Sequence, residues 1–148
     1  MTLCSDWPRY AVPQRHARTG CIPTGYEFLL RAAGVEGIDF ATFQDEFDLE
    51  FAGTGQNNFQ TVALAIQARY PLVSIGIEIF GRGADKLGFI EQRLSRKQLL
   101  LLSLTLRQQG GWHIAPIVDA DSENLYLLWE ILPDREAKVY ELSRCEGQ

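Results

Sequence analysis

Hydrophobic residues in the first half of the chain recur at intervals of three and four, which is the spacing of an amphipathic helix. The pattern predicts three helices, which begin near Pro23, after Asp39 and after Asn58, and Gly34 and Gly37 are expected to end the first of them. The second helix is predicted to carry an apolar stripe of four phenylalanines, Phe40, Phe43, Phe47 and Phe51.

The second half of the chain favours strands. Alternating apolar residues predict a strand over 73–79, and the spacing of three leucine or isoleucine residues predicts a short helix over 84–95. Further strands are predicted, separated by turns, over 99–106, 112–118, 125–131 and 137–142. Helices first and antiparallel strands afterwards is the order typical of the α+β class.

The composition is that of an ordinary globular domain. The chain has 148 residues, of which 46% are hydrophobic and 22% charged, and we expect one domain over residues 1–148 with an irregular N-terminal arm over residues 1–20. The net charge of -5 and the absence of a basic stripe exclude nucleic acid as an expected partner. The longest apolar run, residues 99–102, is too short to span a bilayer, so no membrane association is expected.

Cysteine usage indicates a reducing compartment. Cys4, Cys21 and Cys145 are odd in number and widely spaced, which favours neither a disulfide framework nor a zinc site, and no cofactor or metal is expected. The first residues have neither the basic nor the apolar region of a signal peptide. A cytoplasmic location with free thiols is therefore predicted.

Cys21 is a candidate nucleophile because it lies at the predicted start of a helix. The partial positive charge and free N–H groups of a helix N-terminus favour the thiolate. Arg15 and Arg18 add positive charge nearby, so we expect a lowered pKa for the Cys21 thiol. The alternative is a buried structural cysteine, since cysteine is among the most buried residue types.

Two histidines are candidate bases for this thiol. His113 follows a Gly-Gly turn and Trp112 and opens an apolar strand, where an imidazole needs a partner. His16 lies on a predicted loop close to Cys21 in sequence and is the second choice.

The segment Gly20-Cys21-Ile22-Pro23-Thr24, followed by an amphipathic helix, resembles the Cys-x-Pro-[Ala/Ser/Thr] start of papain-like cysteine peptidases, and most of all the double-glycine leader peptidase group. Residues 111–119 resemble the histidine strand of that family, and the likeness in layout covers roughly residues 14–131. The resemblance implies a papain-like fold in which a helical half carries Cys21 and an antiparallel sheet carries His113.

The resemblance also implies two supporting residues. In the family a glutamine that donates to the oxyanion occupies the position of Arg15, and here Gln14 lies one residue further from Cys21. The family's third catalytic residue, Asp or Asn, corresponds to Trp129, and Glu130 follows it. Asp119 is the alternative partner for the histidine, but an extended strand would put it roughly 20 Å away.

The implied activity is that of a thiol-dependent hydrolase or acyltransferase that acts on a peptide or amide bond of a peptide or protein substrate. The alternative is a catalytically silent papain-like module that binds a peptide or protein partner. Residues 32–68 carry six carboxylates and no Lys or Arg, which either steers a basic partner or forms a solvated helix face. The sequence leaves the oligomeric state open.

Overall fold

A computed structural model of the chain describes residues 6–78, 86–105, 112–121, 123–131 and 137–143. The helices are α1 (Cys21–Ala32), α2 (Phe43–Phe47), α3 (Phe59–Arg69) and α4 (Lys86–Ser95), preceded by a 3-10 turn at Trp7–Arg9. The strands are β1 (Leu100–Thr105), β2 (Trp112–Ala120), β3 (Asn124–Ile131) and β4 (Ala137–Ser143). The α+β class predicted from the order of helices and strands is confirmed.

Helix α1 begins at the candidate nucleophile and buries the apolar side of its first turns. Ile22 and Tyr26, four residues apart, lie in the core together with Leu30. Gly34 follows with a φ of +72°, a conformation that glycine adopts without strain, and the amide of Val35 then donates to the carbonyl of Leu30. The predicted end of the helix is therefore confirmed.

Helix α3 has the start predicted for it. The side chain of Asn58 accepts a hydrogen bond of 2.8 Å from the backbone N–H of Thr61, as an N-cap residue does. Helix α2 is shorter than predicted: it begins at Phe43 and not after Asp39, so Phe40 lies before its start and Phe51 lies beyond its end. Phe51 is 60% exposed and stacks on His16 outside the core.

The four strands form one antiparallel sheet in the order β1-β2-β3-β4. Side chains alternate between its two faces along β2. Ile114 packs into the core that contains α1, whereas Ala115 and Ile117 pack with Ile90 and Leu94 of α4. The sheet is thus covered by α1 on one face and by α4 on the other.

Helix α1 and the sheet approach each other closely at Gly25. A Cβ atom there would lie 2.9 Å from Cδ2 of Leu101 on β1 and 3.7 Å from Cγ2 of Ile114 on β2. The first contact is shorter than real Cβ atoms show, so a larger residue at Gly25 would require the end of the Leu101 side chain or the helix itself to shift.

The strand predicted over 73–79 is wrong for residues 73–78, which have no regular secondary structure, and residue 79 lies outside the described residues. The backbone N–H of Ile75 donates to the side chain of Gln67 on α3 (3.2 Å) rather than to a neighbouring strand. Alternation alone therefore does not make a strand, because a ladder needs a pairing edge.

The described part of the N-terminal arm, residues 6–20, is irregular apart from the 3-10 turn. Trp7, Tyr10 and Ala11 pack against a small core formed by Phe28, Val118 and Leu128. Within the ranges described, no helix is both long enough and apolar enough to cross a membrane.

Candidate functional site

Cys21 is the first residue of α1 and is a free, half-buried thiol. Burial raises the pKa of the Cys21 thiol, and the charge of Asp48 adds to the rise. Backbone N–H groups of Ile114, Ile22 and Cys21 itself act in the opposite direction, but the net pKa is above the ordinary value. The expectation of a lowered thiol pKa is therefore wrong in this structure, because burial outweighs the helix start.

Three of the four predicted site residues meet at one cavity. Gln14 from the arm, Cys21 from α1 and His113 from β2 all line a space of about 40 Å³. Phe28 and Leu128 form part of its apolar wall. A cavity of this size holds a few water molecules and opens between the helix and the sheet.

His113 reaches the cavity from the first residues of β2. The backbone N–H that lies against the Cys21 sulfur belongs to Ile114, the residue directly after His113. Strict alternation along β2 assigns His113 to the face of Ala115, opposite to the face of Ile114. The structure thus places the backbone that follows His113 beside the Cys21 thiol. A hydrogen bond between the imidazole of His113 and the sulfur of Cys21 stays a prediction.

Gln14 is turned towards the arm's own backbone. Its Nε2 donates to the carbonyl of His16 at 2.9 Å, and that carbonyl also accepts from the backbone N–H of Gly20 at 2.8 Å. An amide nitrogen has two hydrogens, so one bond to His16 does not exhaust it as a donor. A Cβ at Gly20 would lie only 2.6 Å from the His16 carbonyl oxygen, so the glycine before Cys21 is needed for this loop.

The second candidate base, His16, is engaged elsewhere. Its Nε2 lies 2.8 Å from Oδ1 of Asp45 on α2, and Nη2 of Arg15 lies 3.1 Å from the other oxygen of the same carboxylate. The ring of His16 stacks on Phe51 at a centroid distance of 3.8 Å. These contacts hold the arm on α2.

The predicted third catalytic residue, Glu130, lies on β3, and its side chain is outside the described residues. The register of β3 with β4 shifts between Leu128 and Glu130, so Trp129 is the extra residue of a bulge-like irregularity. Asp119 pairs with Tyr126 near the far end of β2, and its carboxylate accepts from the backbone N–H of Ala120. Asp119 is therefore unsuited to orient His113, whereas Glu130 stays a prediction.

Sequence reasoning missed Gln44, a buried residue of α2 that contacts both the arm and α1. A signal was present, because Gln44 is four residues after Phe40 and three before Phe47, and so falls on the apolar side of the predicted helix. A polar residue at such a position must satisfy its hydrogen bonds inside the protein.

Among the residues that the structure describes, no group of three or more His, Cys, Asp or Glu side chains is arranged to hold a metal ion. Comparison of the chain with protein-family models, with curated proteins and with solved structures finds no match. The function of the chain is therefore inferred from the chemistry of the cavity.

Proposed function

We propose that this protein is a papain-like, thiol-dependent hydrolase or acyltransferase in which Cys21 is the nucleophile and His113 the base. The observation that supports this most directly is the shared cavity, which Gln14, Cys21 and His113 line although they come from the arm, a helix and a strand. A nucleophile, a base and an amide donor around one opening are the parts that acyl transfer requires.

In the proposed reaction His113 accepts the thiol proton of Cys21 as the sulfur attacks the carbonyl carbon of a peptide or amide. The oxyanion accepts hydrogen bonds from the backbone N–H of Cys21 and from Nε2 of Gln14. His113 then donates the proton to the leaving amine, and the acyl group remains on sulfur as a thioester. Water, deprotonated by His113, hydrolyses the thioester and restores the thiol.

The raised pKa of Cys21 determines how this chemistry starts. Because burial keeps the resting thiol protonated at neutral pH, a thiolate–imidazolium pair is not assumed before substrate binds. Proton transfer to His113 instead accompanies attack, and the rate depends on the histidine as a general base. The mechanism needs a free thiol, which is the state of Cys21 here, and we propose the reducing cytoplasm as its compartment.

The second candidate function is a silent papain-like module that binds a peptide or protein without cleaving it. Three observations favour it, namely the raised pKa of the thiol, the bond of Gln14 to the carbonyl of His16, and the alternation along β2 that assigns His113 to the face opposite to Ile114. The apolar wall at Phe28 and Leu128 suits a side chain of a bound peptide as well as it suits a substrate.

Acylation by p-nitrophenyl acetate distinguishes the two candidates. In a background without Cys4 and Cys145, we expect a burst of one nitrophenolate per chain, and no burst from Cys21→Ser. His113→Ala is expected to slow the burst about 100-fold at neutral pH, which is the usual size of a lost general base.

His16→Ala is the matched histidine control, and we expect it to keep most of the burst rate, because His16 is not among the residues that line the cavity and Arg15 still joins the arm to α2. A wild-type protein without a burst, or a burst that His113→Ala leaves unchanged, would overturn the proposed enzyme and leave the binding module.

A further inference from the structure

Gln44 is a buried polar residue among aromatic side chains. It is 2% exposed and lies on α2 next to Phe43 and one turn before Phe47. A buried amide costs free energy unless both of its ends find partners. The partners of Gln44 therefore indicate what this residue holds.

The side-chain amide of Gln44 uses its full hydrogen-bonding capacity. Its oxygen accepts from the backbone N–H of Arg15 at 2.8 Å and from the hydroxyl of Thr24 at 3.0 Å. Its nitrogen lies 3.1 Å from the carbonyl oxygen of Pro13 and 3.4 Å from Oε1 of Glu27, and it donates to both. Two acceptor positions and two hydrogens are all that a glutamine amide has.

Two of these bonds bracket Gln14. The carbonyl of Pro13 and the N–H of Arg15 are the backbone groups on either side of it, and both end on the same amide. The bond to Thr24 ties that amide to the first turn of α1, three residues after Cys21, and Thr24 also lines the cavity. One side chain thus fixes the segment that carries Gln14 relative to the helix that carries the thiol.

We infer that Gln44 is a positioning residue for the oxyanion site: it holds the backbone on either side of Gln14, so that Gln14 stays at the cavity that it shares with Cys21. This inference rests on the proposed function, because it assigns Gln44 a part in acyl transfer. Gly20 also contacts this segment, since any Cβ there would collide with the carbonyl of His16 and come within 3.1 Å of Cγ of Gln14.

Two reactions of the Cys21 thiol distinguish a residue that positions Gln14 from a residue that only stabilises the fold. Acylation by p-nitrophenyl acetate passes through an oxyanion, which the Gln14 amide stabilises. Alkylation by iodoacetamide displaces iodide at a saturated carbon and forms no oxyanion. A residue that acts through Gln14 therefore changes the first rate and leaves the second unchanged.

The test compares Gln44→Met with Gln14→Ala in the background that retains only Cys21. We expect both to slow acylation about 10- to 100-fold, at or below the loss typical of a single oxyanion donor, and to leave the alkylation rate unchanged. The double variant is expected to lose no more than Gln14→Ala alone. Gln67→Met is the matched control, because within the described part of the chain the Gln67 side chain bonds to the carbonyl of Ala63 and to the N–H of Ile75, away from the arm, and we expect it to keep both rates.

Gly20→Ala is the second variant, in case Gln44→Met does not fold, because it displaces the same loop and leaves Gln44 in place. We expect the same split between slowed acylation and unchanged alkylation. Losses that multiply in the double variant, or equal losses of acylation and alkylation, would overturn the inference, as would a Gln44→Met protein that is acylated at the wild-type rate.

Amide hydrogen exchange makes the inference separable from the proposed function. In the wild-type protein the N–H of Arg15 is bonded to Gln44 and should be protected, and in Gln44→Met that protection should fall while the amides of α1 keep theirs. If the wild-type protein is not acylated at all, the proposed function fails by itself. Arg15 protection that is unchanged in Gln44→Met would overturn the positioning role regardless of activity.

Discussion

The helical half of this molecule (the arm with α1, α2 and α3) and the sheet half (α4 with β1 to β4) are held together in different ways. In the helical half, side-chain hydrogen bonds join segments that are far apart in sequence, such as the hydroxyl of Tyr26 to the carbonyl of Phe59 and the amide of Asn57 to the carbonyl of Thr19. In the sheet half, backbone ladders align the strands, and an apolar cluster around Ile117 and Leu127 joins the sheet to α4.

This difference affects how Cys21 and His113, the two central residues of the candidate site, are held in position. The position of Cys21 depends on directional bonds with defined partners, so a single polar substitution can displace its surroundings. The position of His113 depends on register, and a shift of one residue reverses the face of every side chain that follows. The surroundings of Cys21 are therefore sensitive to the loss of a single polar group, and the surroundings of His113 are sensitive to strand register.

The largest expected effect is a cavity in the sheet half. Leu127 of β3 is fully buried in the apolar cluster that joins the sheet to α4, and Leu127→Ala should lower the free energy of unfolding by about 3 kcal/mol. Urea unfolding followed by circular dichroism measures this change. A loss below about 1 kcal/mol would contradict a tightly packed apolar cluster on this face.

The next effect is the loss of a polar connection in the helical half. Asn57 donates to the carbonyl of Thr19 at 2.6 Å and to the buried carboxylate of Asp48 at 2.7 Å, and it accepts from the N–H of Leu49 at 2.8 Å. Asn57→Ala should cost about 2 kcal/mol, because these partners lose a bond away from water.

Asn57→Asp is the matched variant for this prediction. It keeps an acceptor for Leu49 but brings a second carboxylate beside Asp48, and we expect it to be at least as destabilising as Asn57→Ala at neutral pH. An Asn57→Ala protein as stable as the wild type would show that these bonds do not hold the helical half together.

A smaller effect is expected one residue later. Asn58 is the N-cap of α3, and Asn58→Ala should cost about 1 kcal/mol, the usual value of a lost cap. Asn58→Asp keeps the acceptor for Thr61 and should retain most of the stability in the same urea titration. If Asn58→Ala and Asn57→Ala lower the free energy of unfolding equally, the bonds of Asn57 to distant segments stabilise the protein no more than a local helix cap does.

The smallest effect is a pH dependence. Burial raises the pKa of Glu27 above its ordinary value, against the opposing influence of Arg31 and Gln44. A carboxyl whose pKa is raised in the folded state stabilises the protein fully below its unfolded pKa, and this contribution is lost as the pH rises through the folded pKa. Glu27→Gln should therefore gain stability relative to the wild type between about pH 4 and pH 7.

Thermal unfolding at both pH values checks this sign, with Glu36→Gln as the control at an exposed carboxyl. A wild-type protein that gains stability relative to Glu27→Gln over the same range would contradict it, and would mean that the ion pair with Arg31, 2.9 Å long, outweighs burial.

Local signals carried most of the fold that could be predicted from the sequence. The spacing from Phe59 to Tyr70 together with Asn58 as a cap gave α3, and Gly34 gave the end of α1. The strand over 73–79 was mispredicted because alternation does not reveal whether a neighbouring edge exists, and here the N–H of Ile75 pairs with a helix side chain.

The sequence also predicted that Cys21 and His113 lie near each other, through the resemblance of residues 20–24 and 111–119 to a peptidase family, and both residues line one cavity. Their roles as nucleophile and base stay predictions. The pKa of Cys21 was predicted in the wrong direction, because desolvation depends on how many atoms surround the thiol, which local sequence does not reveal.

Gly25 affects how closely helix α1 packs against the sheet. It lies one helical turn after Cys21, where a Cβ would come within 2.9 Å of Cδ2 of Leu101. The distance between the helix that carries Cys21 and the strands that face it therefore depends in part on a residue without a side chain. A residue larger than glycine would displace the end of Leu101 or move α1 away from the sheet, and the second outcome would enlarge the cavity beside Cys21.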